Sequence, residues 1–184
     1  MITETDRKTP TSLSKETDPK TPALLSKYAT CIDHIAIAVN DLETSIAWYR
    51  DLLGFKFVER RKTEGKKTGM VSAVMNANGI DFVLIQGTSP ESQVSRYVEH
   101  YGPGVQHVAI GVDDLEAVVA DLTEAGFDFG TTIIRSPGLH QIFSKRDQCS
   151  GMMIELIQRV EEDASFNDIG VQQLFDQLEN SDLF

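Results

Sequence analysis

The strongest constraint on the fold is an internal repeat that covers most of the chain after Cys31. The segment IDHIAIAVNDLETSIAWYRDLLGFKF resembles VQHVAIGVDDLEAVVADLTEAGFDF, and His107 follows His34 by 73 residues. Farther along, FVLIQ at 82–86 resembles IELIQ at 154–158, with an offset of 72 residues. Two independent segments with nearly the same offset indicate two copies of one structural unit.

Each copy shows the pattern of a strand, a helix and three more strands. Residues 32–39 and 105–112 are short, apolar and β-branched, so we predict that they are strands. Asn40 and Asp113 are predicted helix N-caps, because each is followed three residues later by a glutamate, as in a capping box. The three further strands are predicted at 55–60, 70–76 and 80–86 in the first copy and at 128–135, 139–144 and 151–158 in the second.

Two βαβββ units predict an α+β fold. A single such sheet leaves one face uncovered, so we expect the two tandem modules to form one half-barrel-like sheet around a shared cavity. Residues 1–28 are rich in Thr, Ser, Pro and charge, and this composition predicts a disordered tail. The predicted single domain is 29–184, with module one at 31–89, a linking helix at 90–102, module two at 103–160 and a C-terminal helix at 166–181.

The charge and the cysteine content narrow the function classes. The chain has 17 basic and 28 acidic residues and a formal charge of −11, which disfavours nucleic acid and anionic membrane surfaces as partners. Its apolar stretches are too short for a membrane span. With two cysteines and no evident signal peptide, a cytoplasmic location is expected, and exposed sheet edges permit a homodimer.

The histidines of the two repeats are the first candidates for metal ligands. Strand alternation places His34 on one face with Ala36 and Ala38, opposite the branched residues that should pack beneath the helix. His107 has the same position in the second copy, again followed by small residues. Small side chains on a concave face predict a ligand cavity there. Two symmetric histidines at its edge favour metal ligation over a structural role.

Glu155 is the third candidate ligand. It lies between Ile154 and Leu156 in an apolar strand, where a carboxylate is costly to bury unless it meets a cation. A salt bridge to Arg159 is the alternative. The matching residue of the first copy is Val83, which cannot coordinate a metal. Two imidazoles and one carboxylate form the open facial triad of Fe(II) oxygenases, so Fe(II) is the expected cofactor, with another divalent metal left open.

The motifs GPGVQHVAI, QIFSK at 141–145 and MIELIQR at 153–159 resemble a known family. Together with the paired βαβββ pattern, they resemble the vicinal oxygen chelate (glyoxalase/bleomycin resistance/dioxygenase) superfamily. More narrowly, residues 31–159 resemble the catalytic C-terminal half of the 4-hydroxyphenylpyruvate dioxygenase family. The resemblance implies iron ligands at His34, His107 and Glu155, catalytic pocket residues at Gln141, Gln106 and Phe143, and substrate-binding residues at Ser72, Gln93 and Phe166.

The leading functional hypothesis is an Fe(II)-dependent dioxygenase that acts on a 2-oxo acid with O₂. One alternative is a metal-dependent isomerase, epimerase or lyase of the glyoxalase or methylmalonyl-CoA epimerase type, which needs a carboxylate base beside the metal. The other alternative is a non-catalytic protein that binds a small molecule such as an antibiotic. Metal content and oxygen uptake distinguish the three hypotheses.

Overall fold

The computed structural model describes residues 24–160 and 168–180, with side chains of the last segment described for 170–177. The first module contains β1 (Ala29–Ala38), α1 (Leu42–Ala47, continued by a π-helical turn over Trp48–Leu52), β2 (Lys56–Glu64), β3 (Gly69–Ala77) and β4 (Ile80–Gly87). The second contains β5 (Gly104–Val112), α3 (Leu115–Glu124), β6 (Ile134–Ser136), β7 (Leu139–Phe143) and β8 (Met153–Arg159). The linking helix is α2 (Gln93–Tyr101), and α4 (Asp168–Asn180) is the C-terminal helix.

All eight strands form one sheet in the order β2-β3-β4-β1-β5-β8-β7-β6. In both modules the first strand pairs in parallel with the last, and the modules meet through the antiparallel pair β1–β5. α4 packs against both edge strands of the sheet, β2 and β6, which shows that the sheet is curled. A flat eight-stranded sheet is about 34 Å wide, whereas a helix of this length spans only about 20 Å. The predicted α+β half-barrel is therefore confirmed.

The outer face of the sheet carries the predicted helix-packed core. Ile37 and Val39 pack against a buried cluster that contains Leu42 and Ile46 of α1. In the second module, Val118 of α3 packs in an equivalent cluster with strand residues. The branched residues thus lie beneath the helices, as the alternation predicted.

The helix caps differ from the prediction by one residue. The Asp41 carboxylate accepts a hydrogen bond from the backbone N–H of Thr44, and the Asp114 carboxylate accepts one from that of Ala117. A capping side chain reaches the N–H three residues later, so an aspartate at the second position of each Asn-Asp or Asp-Asp pair takes this role. The predicted caps at Asn40 and Asp113, and the capping boxes with them, are wrong.

Two further expectations need correction: the predicted strand at 128–135 and the last residues of the predicted tail. The predicted strand at 128–135 is shortened to Ile134–Ser136 with an isolated bridge at Phe129, and between the two the N–H of Thr132 donates to the Gln177 side chain of α4. Residues 1–23 of the predicted tail lie outside the described residues. Residues 24–28 belong to the folded part, since Tyr28 packs on the second module and donates to Asp121.

No helix in the described part of the chain is long and apolar enough to span a bilayer.

Candidate metal centre

His34, His107 and Glu155 converge on the inner face of the sheet. The Nε2 atoms of the two histidines are 3.3 Å apart. Glu155 Oε2 lies 3.2 Å from Nε2 of His34 and 3.5 Å from Nε2 of His107. Three ligand atoms, one from each side chain, all lie within 4.8 Å of one another. Two imidazole nitrogens and one carboxylate oxygen therefore share a space about the size of one ion.

The strand register explains this convergence. His34 on β1 is opposite Ala109 of β5, and Ala109 is beside Glu155 of β8. His107 is two residues before Ala109 and therefore points to the same side of the sheet. Three neighbouring strands thus each contribute one donor, although the residues are distant in sequence.

Neighbouring side chains orient both imidazoles. His34 Nδ1 lies 2.9 Å from an oxygen of Asp33, which also accepts from Nε and Nη2 of Arg159 at 2.7 and 2.9 Å. His107 Nδ1 is hydrogen-bonded to the side-chain oxygen of Gln106. In each case the preceding residue accepts at Nδ1, which leaves Nε2 to face the centre. Such outer contacts commonly fix the tautomer of a metal-binding histidine.

The electrostatics of the trio show how strongly its charges interact. Burial disfavours the charged form of His34, but the charge of Glu155 and hydrogen bonds to Asp33 and Glu155 raise its pKa to about 9. Burial, followed by the charge of His34, lowers the pKa of His107 well below its usual value. Burial also raises the pKa of Glu155. A cation bound among these side chains would therefore compete with a proton on His34.

The donor set fits a divalent metal. Glu155 is 1% exposed, and its Oε1 has no hydrogen-bond partner among the described residues. A buried acceptor without a donor is costly, and a cation removes that cost. The sequence also allowed a salt bridge between Glu155 and Arg159. In the structure, Arg159 forms a salt bridge with Asp33. A set of two histidines and one carboxylate leaves coordination positions on a bound divalent metal for other ligands.

A cavity opens in front of these three side chains. It holds about 740 Å³ of empty space, counting its open mouth, which suits a small molecule. Val83, the counterpart of Glu155 in the first module, lines it. Val171, Leu174 and Phe175 of α4 cover it. The centre therefore lies at the bottom of a mostly apolar pocket beneath the C-terminal helix.

The small residues beside the histidines do not line this cavity, contrary to the prediction. Ala36 and Ala38 are 0% exposed and pack with Val94 and Tyr97 of α2. Their small size allows the linking helix to approach β1 closely, so no empty space remains. In the second module, Ala109 likewise packs in a buried cluster.

Residues 31–156 match the sequence model of the Glyoxalase/Bleomycin resistance protein/Dioxygenase superfamily. The chain belongs to this superfamily. The match covers both modules and all three candidate ligands, so the duplicated half-barrel is the superfamily fold.

Curated members of the superfamily that resemble the chain differ in their named activities. The 4-hydroxyphenylpyruvate dioxygenase of Pseudomonas aeruginosa is 30% identical over 108 residues, which are 56% of this chain and 30% of that protein. The mitochondrial methylmalonyl-CoA epimerase of Mus musculus is 28% identical over 130 residues, 69% of this chain and 72% of that protein. The chain thus spans less than a third of the dioxygenase and most of the epimerase.

A solved structure supports the same fold. A triple mutant of 4-hydroxymandelate synthase from Streptomyces coelicolor superposes with a TM-score of 0.74 at 23% identity, covering 83% of this chain and 54% of that one. At this identity the likeness concerns the fold alone.

The structure places most of the other predicted site residues of this superfamily member around the same cavity. Phe166 lies outside the described residues. The predicted residues that line the cavity are Ser72, Gln93, Gln106, Gln141 and Phe143. Phe143 also forms an edge-on contact with the His107 ring, with centroids 5.2 Å apart. Their roles in catalysis and in substrate binding remain predictions.

Two charged lining residues were absent from the sequence-based set. Glu59 and Arg61 both lie on β2 and both line the cavity. Their alternate spacing could have placed them on one face, but the run ERRK at 59–62 offered no sign of which face is internal.

Proposed function

We propose that the protein is a non-haem Fe(II) dioxygenase that acts on a 2-oxo acid. The observation that carries the proposal is the three-donor set of His34, His107 and Glu155, with Val83 where the symmetric module would supply a fourth donor. A two-histidine, one-carboxylate set leaves positions for a bidentate substrate and for O₂. When bound, Fe(II) would supply chelation of the keto acid and activation of oxygen.

The protein side chains would orient the substrate and exclude water. The side-chain oxygen of Gln106 is engaged by His107, so its amide N–H groups are the part left to face a ligand. Gln141 is 2% exposed and lines the cavity, where its amide would hold a polar substrate group. Phe143 would provide a flat apolar wall. The apolar face of α4 would shield the reacting centre from water.

The direct test is oxygen consumption by protein loaded anaerobically with Fe(II), across a panel of aliphatic and aryl 2-oxo acids. We expect uptake with at least one keto acid, release of CO₂ in equal amount, and loss of both in Glu155→Gln. Glu116→Gln, an exposed carboxylate on α3, is the matched control. Tight iron binding without uptake across the panel would contradict the proposal.

A second candidate is a metal-dependent epimerase or isomerase. Two observations favour it: the similarity to methylmalonyl-CoA epimerase and the presence of Glu59 in the cavity, a carboxylate that is not one of the candidate ligands. Such an enzyme removes a proton next to a carbonyl and returns it to the opposite face. Deuterium incorporation into methylmalonyl-CoA by the Co(II)-loaded protein in D₂O without oxygen would favour this candidate.

The third hypothesis, a small-molecule binding protein without metal, is tested by metal content. Purified protein that holds no metal and takes none up on reconstitution would favour it over both enzyme candidates.

A further inference from the structure

The wall of the cavity that module one forms contains an arginine. Arg61 lies on β2, its side chain is 16% exposed, and it lines the cavity. Apart from the two histidines, it is the one basic side chain that the described residues contribute to this lining. A guanidinium at the wall of a mostly apolar pocket can bind an anionic group of a ligand there.

The interaction of Arg61 with Glu59 is a weak one. Nη2 of Arg61 lies 3.3 and 3.4 Å from the two carboxylate oxygens of Glu59, and the Glu59 side chain is 37% exposed. The strongest pairs of this kind use two nitrogens in parallel at shorter distances. Glu59 and Arg61 therefore place a carboxylate and a guanidinium side by side on this wall of the cavity.

Two uncharged polar groups complete this end of the cavity. Ser72 is directly opposite Arg61 in the β2–β3 register and is 8% exposed. Gln93, at the start of α2, is 4% exposed, and its Oε1 is buried without a hydrogen-bond partner among the described residues. Both side chains line the cavity. The hydroxyl of Ser72 and the amide N–H groups of Gln93 are donors from which an anionic ligand group can accept.

The path from the metal centre to Arg61 starts at Val83. In the sheet, Val83 is opposite Val74 of β3, and Val74 is opposite Glu59 of β2. The side of the centre without a donor therefore faces an apolar strip that ends at the β2 residues. A ligand that chelates the metal on its open side would extend along this strip.

From these observations we infer that Arg61 binds a second negatively charged group of the substrate. The substrate class is then a 2-oxo acid with an anionic group at the end remote from the metal. This inference rests on the proposed function, because it takes the keto acid end to be held by the metal. Under α4 the pocket has a low dielectric, which strengthens the attraction between a guanidinium and a carboxylate.

The test compares ligands of equal length that differ at the remote end. The probes are 2-oxoglutarate against 2-oxopentanoate, and 2-oxoadipate against 2-oxohexanoate, measured by titration calorimetry on Zn(II)-loaded protein without turnover. The test variant is Arg61→Gln. Arg60→Gln is the matched control, since it removes the same charge from the next residue, whose side chain is 48% exposed and pairs with Glu43 on the outer face.

We expect the dicarboxylates to bind about 10- to 100-fold tighter than their partners in the wild type, the range for one charge-assisted hydrogen-bonded contact. Arg61→Gln should reduce the preference to nearly one, and Arg60→Gln should retain it. Equal metal content and circular dichroism spectra establish that the variants are folded. If Arg61→Gln does not fold, the wild-type preference and its partial retention in Arg61→Lys decide the matter.

No preference for the dicarboxylates in the wild type, or a preference that Arg61→Gln leaves unchanged, would overturn the inference. Either result is separable from the function proposed above. Oxygen uptake with a monoanionic keto acid would leave the dioxygenase proposal intact while rejecting the role of Arg61. Preferential dicarboxylate binding without oxygen uptake would do the reverse.

Discussion

Replacing Glu155 by glutamine should separate the cost of a buried carboxylate from its benefit as a metal ligand. The carboxylate is 1% exposed and one of its oxygens has no hydrogen-bond partner among the described residues. Leaving a buried acceptor unsatisfied costs about 1–3 kcal/mol, more for a charged group. Glutamine has the same shape, is neutral and can still bond to His34. With a chelator present, we expect Glu155→Gln to be as stable as the wild type or up to about 3 kcal/mol more stable.

The charge pair with His34 partly offsets this gain, and the offset depends on pH. The folded-state pKa of His34 is raised to about 9, so its pairing stabilises the fold fully below the unfolded pKa of about 6.5. That contribution is lost as the pH rises through 9. The stability of Glu155→Gln relative to the wild type should therefore increase between pH 7 and pH 9.5.

Added metal should reverse the order. At 100 times the dissociation constant, a bound metal stabilises the wild type by about 2.7 kcal/mol. For a chain of this size that is a rise in Tm of roughly 5–10 °C. The neutral amide is a poorer ligand, so Glu155→Gln should gain much less.

Thermal unfolding followed by circular dichroism, with EDTA and with Mn(II), measures both effects, and Glu116→Gln is the surface control. A variant that is 3 kcal/mol or more less stable than the wild type in EDTA would show that Glu155 is a structural ion-pair partner. An equal metal-induced rise in Tm for both proteins would refute its role as a ligand.

Three further outcomes test the centre and its surroundings. Asp33→Asn, which weakens the orientation of the His34 ring, should raise the Kd for Mn(II) about 10- to 100-fold in fluorescence-monitored titrations, and unchanged affinity would reject this orienting role. Because the proton on His34 must leave when a metal binds, the Kd should fall roughly tenfold per pH unit between pH 6 and pH 8, whereas a flat profile would contradict the raised pKa. Val83→Glu adds a donor on the open side, so it should tighten metal binding and reduce oxygen uptake by about tenfold or more; unaltered uptake would argue against an open coordination position there.

The sequence best predicted the features that both copies of the repeat share. The repeat offset predicted the module pair, and period-two alternation in both copies predicted that His34 and His107 face the same side. The position of Glu155 in an apolar strand added the third donor. These inferences depend on covalent spacing and strand geometry, which a local sequence pattern contains.

Features that depend on contacts between separate helices and strands could not be predicted from the sequence. The small size of Ala36 and Ala38 is equally compatible with an empty cavity and with a closely packed helix, and only the position of α2 decides between them. Beside the shortened β6, the N–H of Thr132 donates to Gln177 of α4, a residue 45 positions away in the sequence. No local pattern predicts such a contact.

The position of Arg61 in the cavity wall could not be predicted either, because charged residues are common on any edge strand, where they discourage aggregation. On a flat sheet, an arginine on β2 would face solvent. Here the sheet curls until α4 touches both edges, and the inner face of an edge strand becomes the wall of a cavity.

The two modules are symmetric in their scaffold and asymmetric in their chemistry. Each supplies a histidine whose preceding residue accepts at Nδ1, Asp33 in one module and Gln106 in the other. The symmetry ends at the last strand, where module two has Glu155 and module one has Val83. A closed site would need a donor from both. Because valine cannot supply one, module one leaves space there, and we expect a bound substrate to extend towards the wall formed by β3 and β2. In the proposed function, the missing fourth donor and the partly buried Arg61 would act together: module two would supply two of the three metal ligands, and module one would supply the arginine that selects the substrate.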